Sequence, residues 1–376
     1  MEEFKSTTLG RVTVYSIQGC PHCVQAKATL GRLGVPVCDV DLGRHPQLRA
    51  RVKELTGRSS VPQIFFNNIH VGGNDDLQKL APEELQRLTN VVKKEPLPAD
   101  APPLPEETQA EDMAGETDGA AELSLIVREL ILKLFSEHLS ADGKSVDYKG
   151  MSANPAFERY CELAVQLQRV ELLSLSREEK LAFFINIYNA LVIHGYLRLG
   201  APTNMWQRYR FFNYVSYLIG GEVFTLQDIE NGVLRGNRKG VAQLLRPFSK
   251  TDPRLQVALP DAEPLIHFAL NCGAKGCPPI KTYTPQDIDS QLRTAAEAFL
   301  ENDDACLVDS GKREVRLSQI FKWYKADFGG TDEKLLTWVV EHMGDSPKKT
   351  SLQGVLSAGK TKVSFLPYDW SSNSSH

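Results

Sequence analysis

The chain has 376 residues, 42% hydrophobic and 24% charged, with a formal net charge of −4. That length supports two or three domains with proper cores, and the even mixing of charge leaves no basic stripe for nucleic acid. No run approaches eighteen consecutive apolar residues and MEEFKSTTLG lacks an apolar signal core, so no membrane span, membrane partner or secretory signal is expected. The seven cysteines are an odd, scattered set apart from Cys20/Cys23 and Cys272/Cys277. This usage fits a reducing, cytoplasmic compartment better than a disulfide framework.

In chain order, RVTVYSI (11–17) predicts a buried strand, and CPHC follows it directly. VQAKATLGRL carries apolar residues at helical spacing and predicts a helix running to Gly34. VPVCDVDL (35–42) predicts a second strand with Cys38 as an inert core thiol, and HPQLRARVKEL a charged helix stopped at Thr56-Gly57. VPQIFF and IHVGG form a hairpin about Asn67-Asn68, and DDLQKL and PEELQRLTNVV close the segment as helices. The order is β-α-β-α-β-β-α(α), and residues 1–93 are assigned to this first domain.

Residues 94–121 are rich in Pro, Glu, Asp and Ala, with few large apolar side chains, and predict a disordered acidic linker. Residues 122–376 regain core-forming composition. SLIVRELILKLFSEHL, NPAFERYCELAVQLQRV and REEKLAFFINIYNALVIHGYLRLG predict helices, as do QLRTAAEAFLEN and DEKLLTWVVEHM. Shorter Gly- and Pro-punctuated elements lie between them, and SSNSSH is expected to fray. This second domain is predicted as helix-rich α+β.

The chemistry starts with Cys20, Pro21, His22 and Cys23. A thiolate is the reactive form of cysteine, and a helix N-terminus favours an anion. Cys20 sits where the first strand turns into a helix, Pro21 suits the first helical turn, and protonated His22 adds positive charge. Cys23, one turn on, is placed to attack a mixed disulfide at Cys20. A lone CxxC also serves as a zinc half-site, but no second Cys/His pair lies nearby in sequence, and no metal is expected.

CPHC after a strand, Val61-Pro62 in SSVPQIFF and GGNDDL (72–77) together resemble the glutaredoxin family over residues 10–92. The resemblance implies a thioredoxin-like α/β fold and glutathione as co-substrate. It also implies Cys20 and Cys23 as the catalytic pair and a glutathione site of His22, Val61, Pro62, Gly73, Asp75 and Asp76. In that site the Val61 backbone pairs with the cysteinyl moiety, and Asp75 and Asp76 receive the γ-glutamyl amino group. Two positions depart from the family pattern: Ile17 stands where Lys is common, and Ser60 where Thr is usual.

In the second domain His267, Asn271, Cys272 and Cys277 gather thiols, an imidazole and an amide within one short stretch, the raw material of a cysteine hydrolase. The same residues also suit a structural or regulatory disulfide, a thiol substrate for the first domain, a metal site or plain packing. Asn186 and Asn189 share a face of the long helix, with Tyr188 and His194 on the same helix. LAFFINIYNALVIHGYL, IHFALNCGAKGCPPI and VSFLPYDW resemble domain-of-unknown-function family 547 over about 125–370. The expected function is glutathione-dependent reduction of disulfide or glutathionylated proteins. The alternatives are a non-catalytic redox adaptor and a C-terminal cysteine hydrolase regulated by the first domain.

Overall fold

A computed structural model describes residues 10–105 and 120–375, and the chain divides into two compact units. The first holds the N-terminal region with residues 164–170 and 214–224. Its elements are β1 (Val12–Ser16), α1 (Pro21–Gly31), β2 (Val37–Asp41), α2 (Leu48–Thr56), β3 (Gln63–Phe66), β4 (Ile69–Gly72), α3 (Asn74–Gln78) and α4 (Pro82–Lys94). The sheet order is β2-β1-β3-β4, with β1 parallel to β2 and antiparallel to β3. This is the thioredoxin-like α/β fold expected from the sequence.

Every residue of β1 is buried because both faces of the sheet are covered. Val12 and Val14 join Ala26, Leu30, Ile64, Phe66, Leu77, Leu88 and Val92 on one face. Tyr15 joins Val40, Leu42, Val52 and Phe65 on the other. Period-two alternation of side chains allots one β-strand to two cores in this way. Each fully buried aliphatic side chain contributes on the order of 1.5–3 kcal/mol.

Three details differ from the sequence expectations for this region. The first helix ends at Gly31, before the turn in which Gly34 takes φ +64°. Cys38 is only half-buried, because β2 is an edge strand. Of the stretch expected as linker, 106–119 lie outside the described residues, whereas 95–105 are described and held in place. Arg11 Nη2 donates to Pro102 O at 3.0 Å, the Tyr15 hydroxyl donates to Pro103 O, and Leu104 packs on the Tyr15 cluster.

The second unit begins with α5 (Ala120–His138), α6 (Tyr148–Ala153), α7 (Pro155–Gln166), α8 (Arg177–Leu199) and α9 (Met205–Tyr214). The hairpin β5 (Ser216–Ile219) and β6 (Glu222–Thr225) comes next; its Leu218 and Val223 pack on Val24 and Ala28 of α1, within the first unit. Then follow α10 (Ile288–Glu301), β7 (Cys306–Asp309), β8 (Glu314–Leu317), α11 (Gln319–Trp323), α12 (Asp332–His342), α13 (Pro347–Ser357) and β9 (Lys362–Phe365). The unit is helix-rich, with a three-stranded sheet in the order β7-β8-β9.

Helix α8 is buried from Leu181 to Gly195, which explains its unbroken apolar sequence. Ser176 caps it by accepting from Glu179 N, while the Glu179 carboxylate accepts from Ser176 N. The C-terminal tail, expected to fray, is instead pinned. Asn373 is fully buried, its backbone bonds Val146 and Gly273, and its amide oxygen accepts from the Tyr148 hydroxyl at 2.7 Å. Among the described residues, no helix is long and apolar enough to cross a membrane.

Candidate functional site

Cys20 is the N-cap of α1, with Pro21 in the first turn. Its Sγ accepts from Cys23 N at 3.2 Å and lies 4.0 Å from Val61 O. The Cys20 thiol is lowered to about 7, chiefly by a hydrogen bond from the Cys23 thiol. Burial opposes that shift, and the backbone N–H groups of Cys23 and His22 and the Lys27 charge support it. The Cys23 thiol is pushed far up, first because it donates that hydrogen bond and then because it is buried. One thiol is thus poised as thiolate and the other as its proton-bearing partner. His22 itself is exposed on the first turn.

This asymmetry has a direct readout. Alkylation of Cys20 by iodoacetamide is expected to rise with pH about a midpoint near 7, with Cys23 left unmodified. Peptide mass spectrometry across pH 5–9 measures it. A midpoint near the free-thiol value of about 8.5 overturns the assignment.

The Val61–Pro62 peptide is cis, and Pro62 is buried. Gly73 N donates to Asp76 Oδ2 at 2.8 Å at the start of α3, and Arg58 pairs with the same oxygen at 2.6 Å. The Asp76 carboxyl is lowered, first by the Gly73 N–H and then by Arg58. Gly72 is required by geometry, since it takes φ +118° and a Cβ there would lie 2.2 Å from Asp76 Oδ2. Asp75 is exposed beside it. Lys27 and Arg58 supply charge that sequence reading missed, because neither lies in a recognised motif. Ile17, where a lysine was the family norm, packs instead into the Tyr15 cluster.

In the second unit, His267 lies in a single helical turn, Pro264–Phe268. Pro264 sets that turn at its first position. His267 Nε2 bonds Asp327 Oδ2 at 2.8 Å, and the imidazole stacks on Tyr324 with centroids 3.9 Å apart. Asp327 also takes both ends of the Arg235 guanidinium, at 2.6 and 2.9 Å, and Arg238 at 2.9 Å. A cavity of about 350 Å³ is lined by His267, Cys272, Cys277, Tyr324, Tyr368 and Trp370, among others.

Asn189 braces the loop that carries the two thiols, donating to Ala269 O and accepting from Asn271 N. Asn271 continues it, donating to Pro278 O at 2.8 Å and accepting from Gly273 N at 2.7 Å. Asn186 holds the Tyr283 backbone in the same two-handed way. His194 lies against Cys161, 3.8 Å from its sulfur, and the Tyr188 hydroxyl donates to Glu230. The structure therefore gathers His267, Cys272 and Cys277 about one cavity, with the asparagines as backbone supports. No hydrogen bond joins His267 to either thiol among the described residues. Asp327 and Tyr368 were missed as site residues: Asp327 belongs to no motif, and Tyr368 is brought in only by the fold. Among the described residues no group of three or more His, Cys, Asp or Glu side chains is placed to hold a metal ion.

Two family models match the chain: Glutaredoxin over residues 12–71 and Protein of unknown function, DUF547, over residues 172–300. Glutaredoxin 1 of Rickettsia typhi is 36% identical over 90 residues, 23% of this chain and 85% of that protein. The glutaredoxin of Pseudomonas aeruginosa is 41% identical over 69 residues, 18% of this chain and 82% of its own length. A solved glutaredoxin from Brucella melitensis is 39% identical, covering 24% of this chain and 94% of that one with a TM-score of 0.20. Both resemblances drawn from the sequence hold, in the expected order. Through its N-terminal unit, a thiol oxidoreductase domain, the chain belongs to the glutaredoxin family, and a DUF547 region follows it.

Proposed function

We propose that the N-terminal unit reduces mixed and protein disulfides at the expense of glutathione, in a reducing compartment that we take to be the cytoplasm. The observation that carries this reading is the Cys20 sulfur at the N-terminus of α1, bonded by Cys23 N–H and 4.0 Å from Val61 O. The Cys20 thiolate attacks the glutathione sulfur of a glutathionylated protein, and the protein thiolate leaves. A second glutathione thiolate then attacks the sulfur bound to Cys20, giving oxidised glutathione and restoring the thiolate. With a protein disulfide, Cys23 instead attacks the mixed disulfide, releasing the reduced protein and closing a Cys20–Cys23 bond that two glutathiones reopen.

A glutathione strand laid along Val61 brings its backbone to that residue and its sulfur to Cys20. Its α-carboxylate and ammonium face the start of α3, where Gly73, Asp75, Asp76 and Arg58 sit. His22 is exposed beside Cys20, where its side chain can meet the same ligand. Turnover of a small mixed disulfide in a glutathione-coupled assay tests the reading. Absence of turnover in the folded wild type overturns it and leaves the unit a binding module.

The glutathione site makes a separate prediction. Asp76→Ala removes a carboxylate that accepts from Gly73 N and pairs with Arg58. Charge-assisted hydrogen bonds contribute about 1.5–3 kcal/mol, so KM for glutathione should rise roughly 10- to 100-fold. The Cys20 alkylation midpoint should stay where it is, because Asp76 is not among the groups that set it. An unchanged KM removes Asp76 from the glutathione site.

A further inference from the structure

We propose that Cys272 and Cys277 form a second redox-active dithiol, in which Cys277 exchanges with low-molecular-weight disulfides of the glutathione type and Cys272 closes the bond. Cys277 Sγ accepts from Cys272 N at 3.1 Å and lies 3.1 Å from the Tyr368 hydroxyl, which is 3.9 Å from Cys272 Sγ. The arrangement parallels the N-terminal pair, where Cys23 N donates to Cys20 Sγ at 3.2 Å. In both pairs a backbone N–H of one cysteine points at the sulfur of the other, marking the sulfur that carries negative charge.

The loop is built to hold this geometry. Asn271 and Asn189 fix its backbone at four hydrogen bonds. Gly273 takes φ +86°, where any Cβ would lie 2.2 Å from the Tyr196 ring. Both thiols open onto the cavity shared with Tyr324, Trp323, Trp370 and Arg208. Its volume of about 350 Å³ falls within the range of small-molecule sites, roughly 300–1,000 Å³. Burial pushes the Cys277 thiol up, but hydrogen bonds from the Cys272 thiol, the Tyr368 hydroxyl and two backbone N–H groups outweigh it and leave it at about 7. Cys272 is raised, first by its bond to Cys277. His267 is tied to Asp327 instead of to a sulfur, so the geometry favours thiol exchange over imidazole-assisted hydrolysis.

The Cys277 thiolate attacks one sulfur of oxidised glutathione, forming a Cys277–glutathione disulfide and expelling one glutathione thiolate. The Cys272 thiol, losing its proton, attacks the Cys277 sulfur and expels the second. Two electrons pass from the cysteine pair to the glutathione disulfide, and excess glutathione runs both steps backwards. None of this depends on Cys20.

The test uses the full-length Cys20→Ser/Cys23→Ser protein, incubated with oxidised glutathione at graded ratios to glutathione, then alkylated and digested with trypsin. Cleavage after Lys275 separates the two cysteines, so their peptides stay joined only through a Cys272–Cys277 disulfide. Joined peptides are expected to increase with oxidised glutathione and to disappear when glutathione is in excess. Adding Cys272→Ser should trap a glutathione adduct on Cys277, and Cys277→Ser should leave about tenfold less adduct on Cys272. Should either added variant misfold, the joined peptides of the folded parent decide alone. Both thiols remaining alkylatable in oxidised glutathione, or an adduct confined to Cys272, overturns the proposal.

Discussion

Cys20→Ser is expected to reduce glutathione-coupled disulfide reduction to background, a loss on the order of 10³-fold or more. The serine hydroxyl keeps the N-cap hydrogen bond but cannot form the mixed disulfide, so the reaction loses its first covalent step while the helix keeps its cap. Cys23→Ser is expected to behave differently. Its hydroxyl still donates to Cys20, the largest of the effects lowering that thiol, so the nucleophile survives. Removal of glutathione from a small mixed disulfide, which glutathione itself resolves, should persist. Reduction of a protein disulfide, which calls on Cys23 to close the Cys20–Cys23 bond, should fall sharply. Steady-state rates on the two substrate types, measured for both variants, give the comparison, and equal loss in both would remove the distinction between nucleophile and partner.

The N-terminal unit was legible because its chemistry is local. CPHC places nucleophile, helix-starting proline and partner thiol within one turn, and the groups that lower the Cys20 thiol, Cys23, His22 and Lys27, all belong to α1. Hydrophobic alternation in β1 and the Asn67-Asn68 turn likewise act over a few residues, which is why the element order emerged from periodicity. The second unit was legible only in its helices. Its cavity is assembled from residues far apart in sequence: His267 meets Asp327 sixty residues on, and Cys277 meets Tyr368 after ninety-one. No local pattern announces such pairs. The tail is the plainest case, since SSNSSH has the composition of a frayed end, yet Asn373 fills a slot made by Val146, Tyr148 and Gly273. Pro98–Leu104 follows the same logic: composition spoke for disorder, and one leucine, two carbonyl acceptors and the Asp100 carboxylate, which accepts from Asn68, hold it.

Asp327→Ala is expected to destabilise the second unit by about 3–5 kcal/mol, the usual effect of removing one partner from a buried ion pair. The Asp327 and Arg235 side chains are 0% and 4% exposed, and the carboxylate accepts from Arg235 twice, from Arg238 and from His267. Without it Arg235 keeps a buried charge with, among the described residues, the Asn231 amide oxygen and the Lys239 carbonyl as acceptors. Arg238→Ala makes the control, because that side chain is 42% exposed and its pair with Asp327 is worth less than about 1 kcal/mol. All four tryptophans, Trp206, Trp323, Trp338 and Trp370, lie in the second unit, so tryptophan fluorescence in a denaturant titration follows that unit alone. Burial raises the Asp327 carboxyl, yet the hydrogen bonds from His267 and Arg235 outweigh it and hold it well below the ordinary carboxylate range. A carboxylate lowered in the folded state contributes stability above its unfolded value, about 3.9, and loses it as pH falls toward the folded value. The gap between wild type and Asp327→Ala should therefore stay constant from pH 5 to 8 and narrow below about pH 4. A gap under about 1 kcal/mol at neutral pH would mean that Arg235 finds water once Asp327 is gone, and that the network orients His267 without stabilising the unit.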